Sequence, residues 1–336
     1  MTEIRSLLKK IISGISLSET ESESLFTKIM DGNLSNIQTS SILTALSMKG
    51  EEISEIVGAT KVLRAKSLSI NAPLDSIDTC GTGGDNSGTF NISTAVSFVV
   101  AGSGIPVAKH GNRKASSKSG TADVLEALGV NINTSTENIS KCLSEAKIGF
   151  LFAQKHHLAM KNVAPIRSDL GIRTIFNILG PLSNPANAKK QLLGVFDDKW
   201  IIPMAKSLKK LNSERAWVVH GKDGLDEITI TGDTLIAELK NNKITKFSLN
   251  PADAGLPIHP MTELIGGDPI FNATAIIKLL EGEKNAYRDI VLINAAAALM
   301  ISNKTDNIKD AVKIASNTID SGAAKNTLEK LIKLSK

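Results

Sequence analysis

The chain has 336 residues, 42% hydrophobic and 22% charged, with a net charge of +5 at neutral pH, an ordinary globular composition with room for one large domain and a smaller one. The mild positive balance suits anionic ligands, but it lacks the long basic tract or aromatic-interleaved patch of a nucleic-acid binder. Two cysteines, Cys80 and Cys142, give neither a disulfide framework nor a metal-ligand spacing, and no signal peptide or long apolar run is present, so a cytoplasmic protein without a membrane span is expected.

Residues 1 to about 70 read as helices only. Ile4, Leu7, Leu8, Ile11 and Ile12 keep a helical stripe, and Ser18-x-x-Glu21 is a capping box before Leu25, Phe26 and Ile29. Gly32 ends that helix, Ser35-x-x-Gln38 opens a third, and Ile53, Ile56, Val57, Thr60 and Leu63 space a fourth. Nothing in this stretch carries chemistry, and a helical bundle or a subunit contact is the default reading. The boundary falls between Ser69 and Pro73. From Ile77 onward short apolar runs alternate with helical stretches: Ile105–Ala108, a helix at Thr121–Leu128, Val130–Ile132, a helix at Glu137–Ala146, then Ile148–Phe152. That alternation predicts an α/β domain with a mostly parallel central sheet. His156–Leu179 reads as helical again, Gln191–Phe196, Ala216–Val219 and Glu227–Ile230 as strands, and the tail from Asn272 as helical, with a long apolar helix at Asp289–Ile301.

Two loops stand out. Asp78 to Thr94, D-T-C-G-T-G-G-D-N-S-G-T-F-N-I-S-T, follows a strand-like run and leads into an apolar helix. Its glycines Gly81, Gly83, Gly84 and Gly88 let backbone approach a ligand closely. The hydroxyls and amides of Thr82, Ser87, Thr89, Asn91, Ser93 and Thr94 stand around a helix start, where an anion is favoured. The same residues also describe an ordinary βα turn with a Ser/Thr cap, and neither Walker A nor G-x-G-x-x-G is matched. The second loop, Lys109 to Gly120, places four cations, three serines and two glycines directly after a strand, at the end where ligands bind in open α/β sheets. Asp226-Glu227, after Gly224-Leu225, offers two adjacent hard carboxylates that suit Mg²⁺. By itself such a pair is far more often a solvated surface feature, and it is the D-G-L-D-E context that reverses this.

In combination these motifs resemble one family. G-T-G-G-D, N-I-S-T, K-H-G-N-R-x-x-S-S-x-S-G, the A-D-x-L-E-x-L-G of Ala122–Gly129, the H-x-A-M-K-N-V-A-P-I-R of His157–Arg167, the L-G-I-R-T-I-F-N-I-L-G-P-L-S-N-P of Leu170–Pro185 and the H-G-x-D-G-L-D-E of His220–Glu227 are similar, in order and over nearly the whole chain, to anthranilate phosphoribosyltransferases of tryptophan biosynthesis. The resemblance implies transfer of a phosphoribosyl group from phosphoribosyl diphosphate to the amine of anthranilate. It implies a helical domain over residues 1–72, with a returning segment at about 157–185, that mediates homodimerisation. The α/β domain would be 73–156 and 186–336.

Carried over residue by residue, phosphoribosyl diphosphate would meet Gly81, Gly84, Asp85, Thr89, Asn91, Ile92, Ser93, Thr94, Lys109, His110, Gly111, Asn112, Arg113, Lys114, Ala115, Ser116, Ser117 and Thr121. Asp85, an acid in an anion cradle, is read as orienting the loop or bonding the ribose hydroxyls. Anthranilate would meet Gly81, Asn112 and Arg167, the last offering a guanidinium to its carboxylate. Ser93, Asp226 and Glu227 would hold Mg²⁺, as two ions sharing Glu227. No nucleophile is implied, since positioning and charge stabilisation serve a dissociating C1–O bond. His110 and His157 are candidates for the aromatic-acceptor channel or satisfied structural histidines, and His156, His220 and His259 have no assigned role. Asn86, Thr121, Leu158 and Ala254 depart from the family's usual residues. Two other readings share the fold: a pyrimidine nucleoside phosphorylase, whose glycine loop differs and which lacks D-G-L-D-E, and a non-catalytic nucleic-acid-binding relative.

Overall fold

Four helices open the chain: α1 (Thr2–Ile12), α2 (Glu19–Met30), α3 (Asn36–Lys49) and α4 (Ile53–Ala65). The computed structural model describes residues 2–113 and 119–336. Both expected capping boxes form: Ser18 Oγ accepts the Glu21 N–H at 3.2 Å while the Glu21 carboxylate accepts the Ser18 N–H at 2.7 Å, and Ser35 and Gln38 repeat the exchange. Inside the bundle, Glu55 is fully buried. It pairs with Lys49 at 2.9 Å and accepts the Leu17 N–H at 2.9 Å, so its charge is compensated.

The rest of the chain builds one seven-stranded sheet in the order β3-β2-β1-β4-β5-β6-β7. The strands are β1 (Ile77–Gly81), β2 (Val107–Gly111), β3 (Ile148–Phe152), β4 (Lys190–Gly194), β5 (Arg215–Gly221), β6 (Thr234–Lys240) and β7 (Lys243–Leu249). β1 to β5 are parallel and β6 and β7 antiparallel. Both faces are covered, and successive strand residues serve opposite cores. Leu192, Trp217 and Val219 join the core of helix α5 (Ile92–Gly102) and the C-terminal helices, whereas Leu193, Ala216 and Val218 join that of α1–α4 and the helix Ile201–Lys210. Val163, Ile175, Phe176 and Ile178, from the segment after β3, share the second core with the N-terminal helices.

Several local expectations need correction. Strand β2 runs Val107–Gly111 rather than Ile105–Ala108, because Pro106 has no N–H to give the ladder. Val130–Ile132 and Glu227–Ile230 are not strands. Their apolar side chains are buried, but Ile228 exchanges backbone hydrogen bonds with the Asn294 amide instead of a neighbouring strand. Both stretches alternate apolar and polar residues, and over three or four residues that pattern reports burial rather than extension. The β6–β7 hairpin is not among the expected elements; its turn is Asn241-Asn242, with φ 51° and 61°, a pair that tolerates the left-handed region hairpin turns demand. The 156–179 stretch is broken into pieces, Leu158–Asn162, Ala164–Leu170 and Phe176–Leu179, with Gly171 in a left-handed cap. No helix among the described residues is long and apolar enough to cross a membrane.

Candidate active site

The chain runs outward from β1 through β2 to β3, then returns to β4 on the other side of β1. The order therefore reverses between β1 and β4, and in open α/β sheets ligands bind beyond the carboxyl ends of strands at such a point. Those two ends are Gly81 and Gly194, register partners across the β1–β4 pair. Together they admit the 223–228 loop. A Cβ on Gly81 would lie 2.3 Å from Asp226 Oδ2, and one on Gly194 would lie 1.5 Å from the Asp226 carbonyl oxygen. Asp226 is thus laid across the switch point, and its Oδ2 accepts the Gly83 N–H at 2.7 Å. Behind it the loop is pinned by buried Asn294, which accepts the Ile228 N–H at 3.0 Å and donates to the Ile228 carbonyl at 2.8 Å.

The glycine loop crosses above. The Thr82 hydroxyl accepts the Phe196 N–H at 3.0 Å, tying it to the end of β4. Asp85 accepts from the Ser87 hydroxyl at 2.7 Å and the Ser87 N–H at 3.3 Å, so this acid orients its own loop. Asn86 takes φ 57°, a conformation asparagine tolerates better than most residues, so this departure keeps the turn. At the start of α5 the Asn91 amide is committed on both sides. Its Oδ1 accepts from Asn272 at 2.8 Å and its Nδ2 donates to the Ser119 carbonyl at 3.2 Å. Asn91 therefore ties the two ligand loops together. Ile92 is buried and its N–H is bonded to the Phe90 carbonyl at 2.8 Å, and the Thr94 hydroxyl lies 3.5 Å from that of Thr121.

Charge is concentrated here. Lys109 is buried and donates to the Thr79 carbonyl at 2.6 Å and to Ser93 Oγ at 3.1 Å. Burial lowers its pKa, opposed by Asp78, Cys80 and Glu227. Asp78, buried in β1, is held by Asn184 at 2.7 Å and by the His110 N–H at 3.2 Å; burial raises its pKa against those bonds and Lys109. Asp226 is raised by desolvation and by Asp85, Glu227 by desolvation and by Asp226, with Lys109 opposing. Lys109 faces Asp78 and Glu227, and Asp226 stands beside Asp85 without a cation of its own among the described residues; hard oxygen donors of this kind fit a hard divalent cation. Among the described residues no three His, Cys, Asp or Glu side chains close around an ion on their own. Further oxygens from a ligand or water would complete the shell, as Mg²⁺ prefers.

Beside this cluster the His110 and His157 rings stand 5.1 Å apart, both buried. Burial chiefly, and the neighbouring imidazoles, push His110 down to about 3 and His157 to about 4, so both are neutral at physiological pH. His110 Nδ1 lies 3.2 Å from the Gly180 carbonyl. Arg167 stands 5.4 Å from the Phe176 ring, half-buried, with no carboxylate partner among the described residues; burial lowers its pKa. Arg113 instead pairs with Asp123 at 2.9 Å and Glu126 at 2.6 Å. Asn112 is exposed, and its carbonyl accepts the Ala122 N–H. A Cβ on Gly111 would press on Phe150 and Thr121. Lys114, Ala115, Ser116 and Ser117 lie outside the described residues. Leu158 is exposed and Ala254 buried in short helical turns.

Asp78, Asn184, Asn272 and Arg173 went unassigned in the sequence. A charge in the middle of a strand was a readable sign for Asp78. Asn184 and Arg173 lie inside a quoted motif without an obvious role, and Asn272 carries no local signal at all.

Comparison with known proteins agrees over the whole chain. The description "Glycosyl transferase family, a/b domain" matches residues 74–325, and "Glycosyl transferase family, helical bundle domain" matches 5–67. The chain is 52% identical over 332 residues to the anthranilate phosphoribosyltransferase of Parvibaculum lavamentivorans, covering 99% of this chain and 97% of that one. It is 51% identical to that of Rhodopseudomonas palustris, covering 100% and 99%. Among solved structures, the anthranilate phosphoribosyltransferase of Thermus thermophilus superimposes with a TM-score of 0.93 at 39% identity, over 97% of this chain and 98% of that one. That of Saccharomyces cerevisiae, in complex with PRPP and Mg, gives 0.91 at 29%, over 99% and 97%.

Proposed function

Because the chain belongs to the anthranilate phosphoribosyltransferase family, we infer that it transfers the phosphoribosyl group of 5-phospho-α-D-ribose 1-diphosphate to the amine of anthranilate. The products are N-(5-phosphoribosyl)anthranilate and diphosphate. The observation that carries this reading is Asp226 laid over Gly81 and Gly194 at the switch point with its carboxylate on the glycine-loop Gly83 N–H, and Glu227 beside Lys109 and the Ser93 N–H at the start of α5. Anthranilate fluorescence tests it: the signal falls only when phosphoribosyl diphosphate and Mg²⁺ are both present, and a fall driven by neither substrate pair nor metal would refute it.

As the C1–O bond breaks, charge builds on the departing diphosphate while C1 becomes cationic, and prearranged dipoles stabilise both without reorganising. The Gly84–Asp85 backbone and the N-terminus of α5 cradle the diphosphate, the Gly83 N–H being held by Asp226. Lys109 compensates Glu227 and Asp78 and keeps Ser93 aimed at the site. Asp226, Glu227 and Ser93 would hold Mg²⁺, as two ions sharing Glu227, and bound metal neutralises the leaving group. No side chain acts as nucleophile, and the neutral His110 and His157 leave an uncharged wall for an aromatic ring.

Arg167 acts on the acceptor. A guanidinium pairs both oxygens of a carboxylate, and losing a charge-assisted contact costs roughly 1.5–3 kcal/mol. Arg167→Ala therefore raises the Michaelis constant for anthranilate about 10- to 150-fold and leaves that for phosphoribosyl diphosphate nearly unchanged. The opposite split means that the two halves of the site are exchanged.

The helical unit, residues 1–72 with 157–185, serves homodimerisation in this reading, and the protein works in the cytoplasm. Ile37 and Met48 on α3 are 78% and 83% exposed, and Ile12 at the end of α1 is 68% exposed, apolar surface of the kind that marks a partner contact. Ile37→Glu with Met48→Glu yields monomers in sedimentation. A wild-type protein that already sediments as a monomer sinks the dimer.

A further inference from the structure

One side chain joins the helical unit to the glycine loop, and the reaction as described leaves it without a task. Arg173 lies between the helix Ala164–Leu170 and the turn Phe176–Leu179. Its own carbonyl accepts the Ser47 hydroxyl of α3 at 3.0 Å. Its guanidinium reaches the other way, stands 3.9 Å from the centre of the Phe196 ring and donates through Nη2 to the Gly84 carbonyl. Phe196 is in turn tied to the loop by its N–H on Thr82 Oγ1. Gly83 and Gly84 have φ 65° and 78°, in the region where glycine alone is free of strain. Gly83 is also the residue whose N–H meets Asp226.

An exposed arginine is ordinarily a solvated surface residue worth little. Three contacts set this one apart: a tether on the helical unit, an aromatic platform at the end of β4, and a bond to a backbone carbonyl of the loop itself. A planar guanidinium can stack on a ring and donate in its own plane at once, which an ammonium cannot.

We propose that Arg173 is a positioning residue for the diphosphate donor: it fixes the Gly84 carbonyl outward and so keeps the neighbouring N–H groups of the glycine loop turned to the diphosphate, against a stop provided by α3. It acts through the backbone of Gly83–Asp85. Misplacing such donors by an ångström is enough to cost up to about 100-fold. This rests on the phosphoribosyl-transfer reading.

Steady-state kinetics on the full chain test it with Arg173→Ala, Arg173→Lys, Phe196→Leu and the Arg173→Ala, Phe196→Leu double variant. Arg173→Ala raises the Michaelis constant for phosphoribosyl diphosphate about 10-fold. The anthranilate constant stays within about twofold and the melting temperature within about 2 °C. Arg173→Lys stays impaired, because charge without the planar fork does not hold both contacts. The double variant is no worse than Arg173→Ala, since the ring acts through the guanidinium. An unchanged donor constant, equal rises for both substrates, full activity in Arg173→Lys, or additive losses in the double variant would each overturn the proposal. If wild-type protein transfers nothing from phosphoribosyl diphosphate to anthranilate, the functional reading fails instead. Calorimetric binding of phosphoribosyl diphosphate to wild-type and Arg173→Ala protein then still decides the arginine: a weakened Kd in the variant supports it and an equal one refutes it.

Discussion

Asp226→Asn and Glu227→Gln each lower turnover by on the order of 100-fold or more, the usual loss when one stabiliser of developing charge is removed. The melting temperature of the metal-free protein moves the other way or stays level. Asp226 is already pushed up by desolvation and by Asp85, and Glu227 by desolvation, Asp226 and Asp85, with Lys109 the opposing cation at Glu227. An uncharged amide of the same shape relieves that crowding, so function falls while the fold loses nothing, as at sites where stability is given up for activity. Turnover at saturating Mg²⁺ together with calorimetric melting measures both. Wild-type rates in both variants would remove the pair from the site. A fall in rate accompanied by a drop of many degrees in melting temperature would make the carboxylates structural.

Gly194→Ala is expected to be nearly as damaging, by a different route. The added methyl would fall 1.5 Å from the Asp226 carbonyl oxygen and 2.4 Å from its carbonyl carbon. Backbone cannot swing aside as a side chain does, so the 223–228 loop must move as a body against its bonds to Asn294. Overpacking of a well-filled site typically costs about 1–3 kcal/mol, and a shift of about an ångström at the carboxylates carries a further large loss of rate. Gly81→Ala makes the instructive comparison. Its methyl would meet Asp226 Oδ2 at 2.3 Å, the tip of a side chain, which can turn away. Gly81→Ala therefore keeps most of the stability and loses activity, whereas Gly194→Ala loses both. Melting temperature and turnover of the two proteins side by side check this, and a Gly194→Ala protein that melts and turns over like wild type refutes the close approach.

What the sequence determined by itself was local or carried in contiguous motifs. The capping boxes at Ser18 and Ser35 were legible because a cap involves only the four residues that form it. Strand β3 was legible because the Ile148–Phe152 run follows a helical stretch in the strand–helix alternation of the domain. The α/β class followed from alternation, and the family from motifs in unbroken order. The Asp226-Glu227 pair, Lys109, Ser93 and the glycine loop were all named from such motifs, and the fold brings these residues to one place.

Only the tertiary structure decided which of them work through others. Nothing around Asn91 in the chain says that its amide is spent on Asn272, 181 residues away, and on Ser119. Nothing near Gly194 says that the Asp226 backbone lies on it, because that contact exists only where β1 and β4 meet. The 227–230 run shows the limit from the other side. It alternates polar and apolar residues because Ile228 and Ile230 are buried, and such alternation looks the same whether the Ile228 N–H goes to a strand or to Asn294. Hydrophobicity records that a residue leaves water. The partner that satisfies its backbone is chosen by whatever the fold sets beside it.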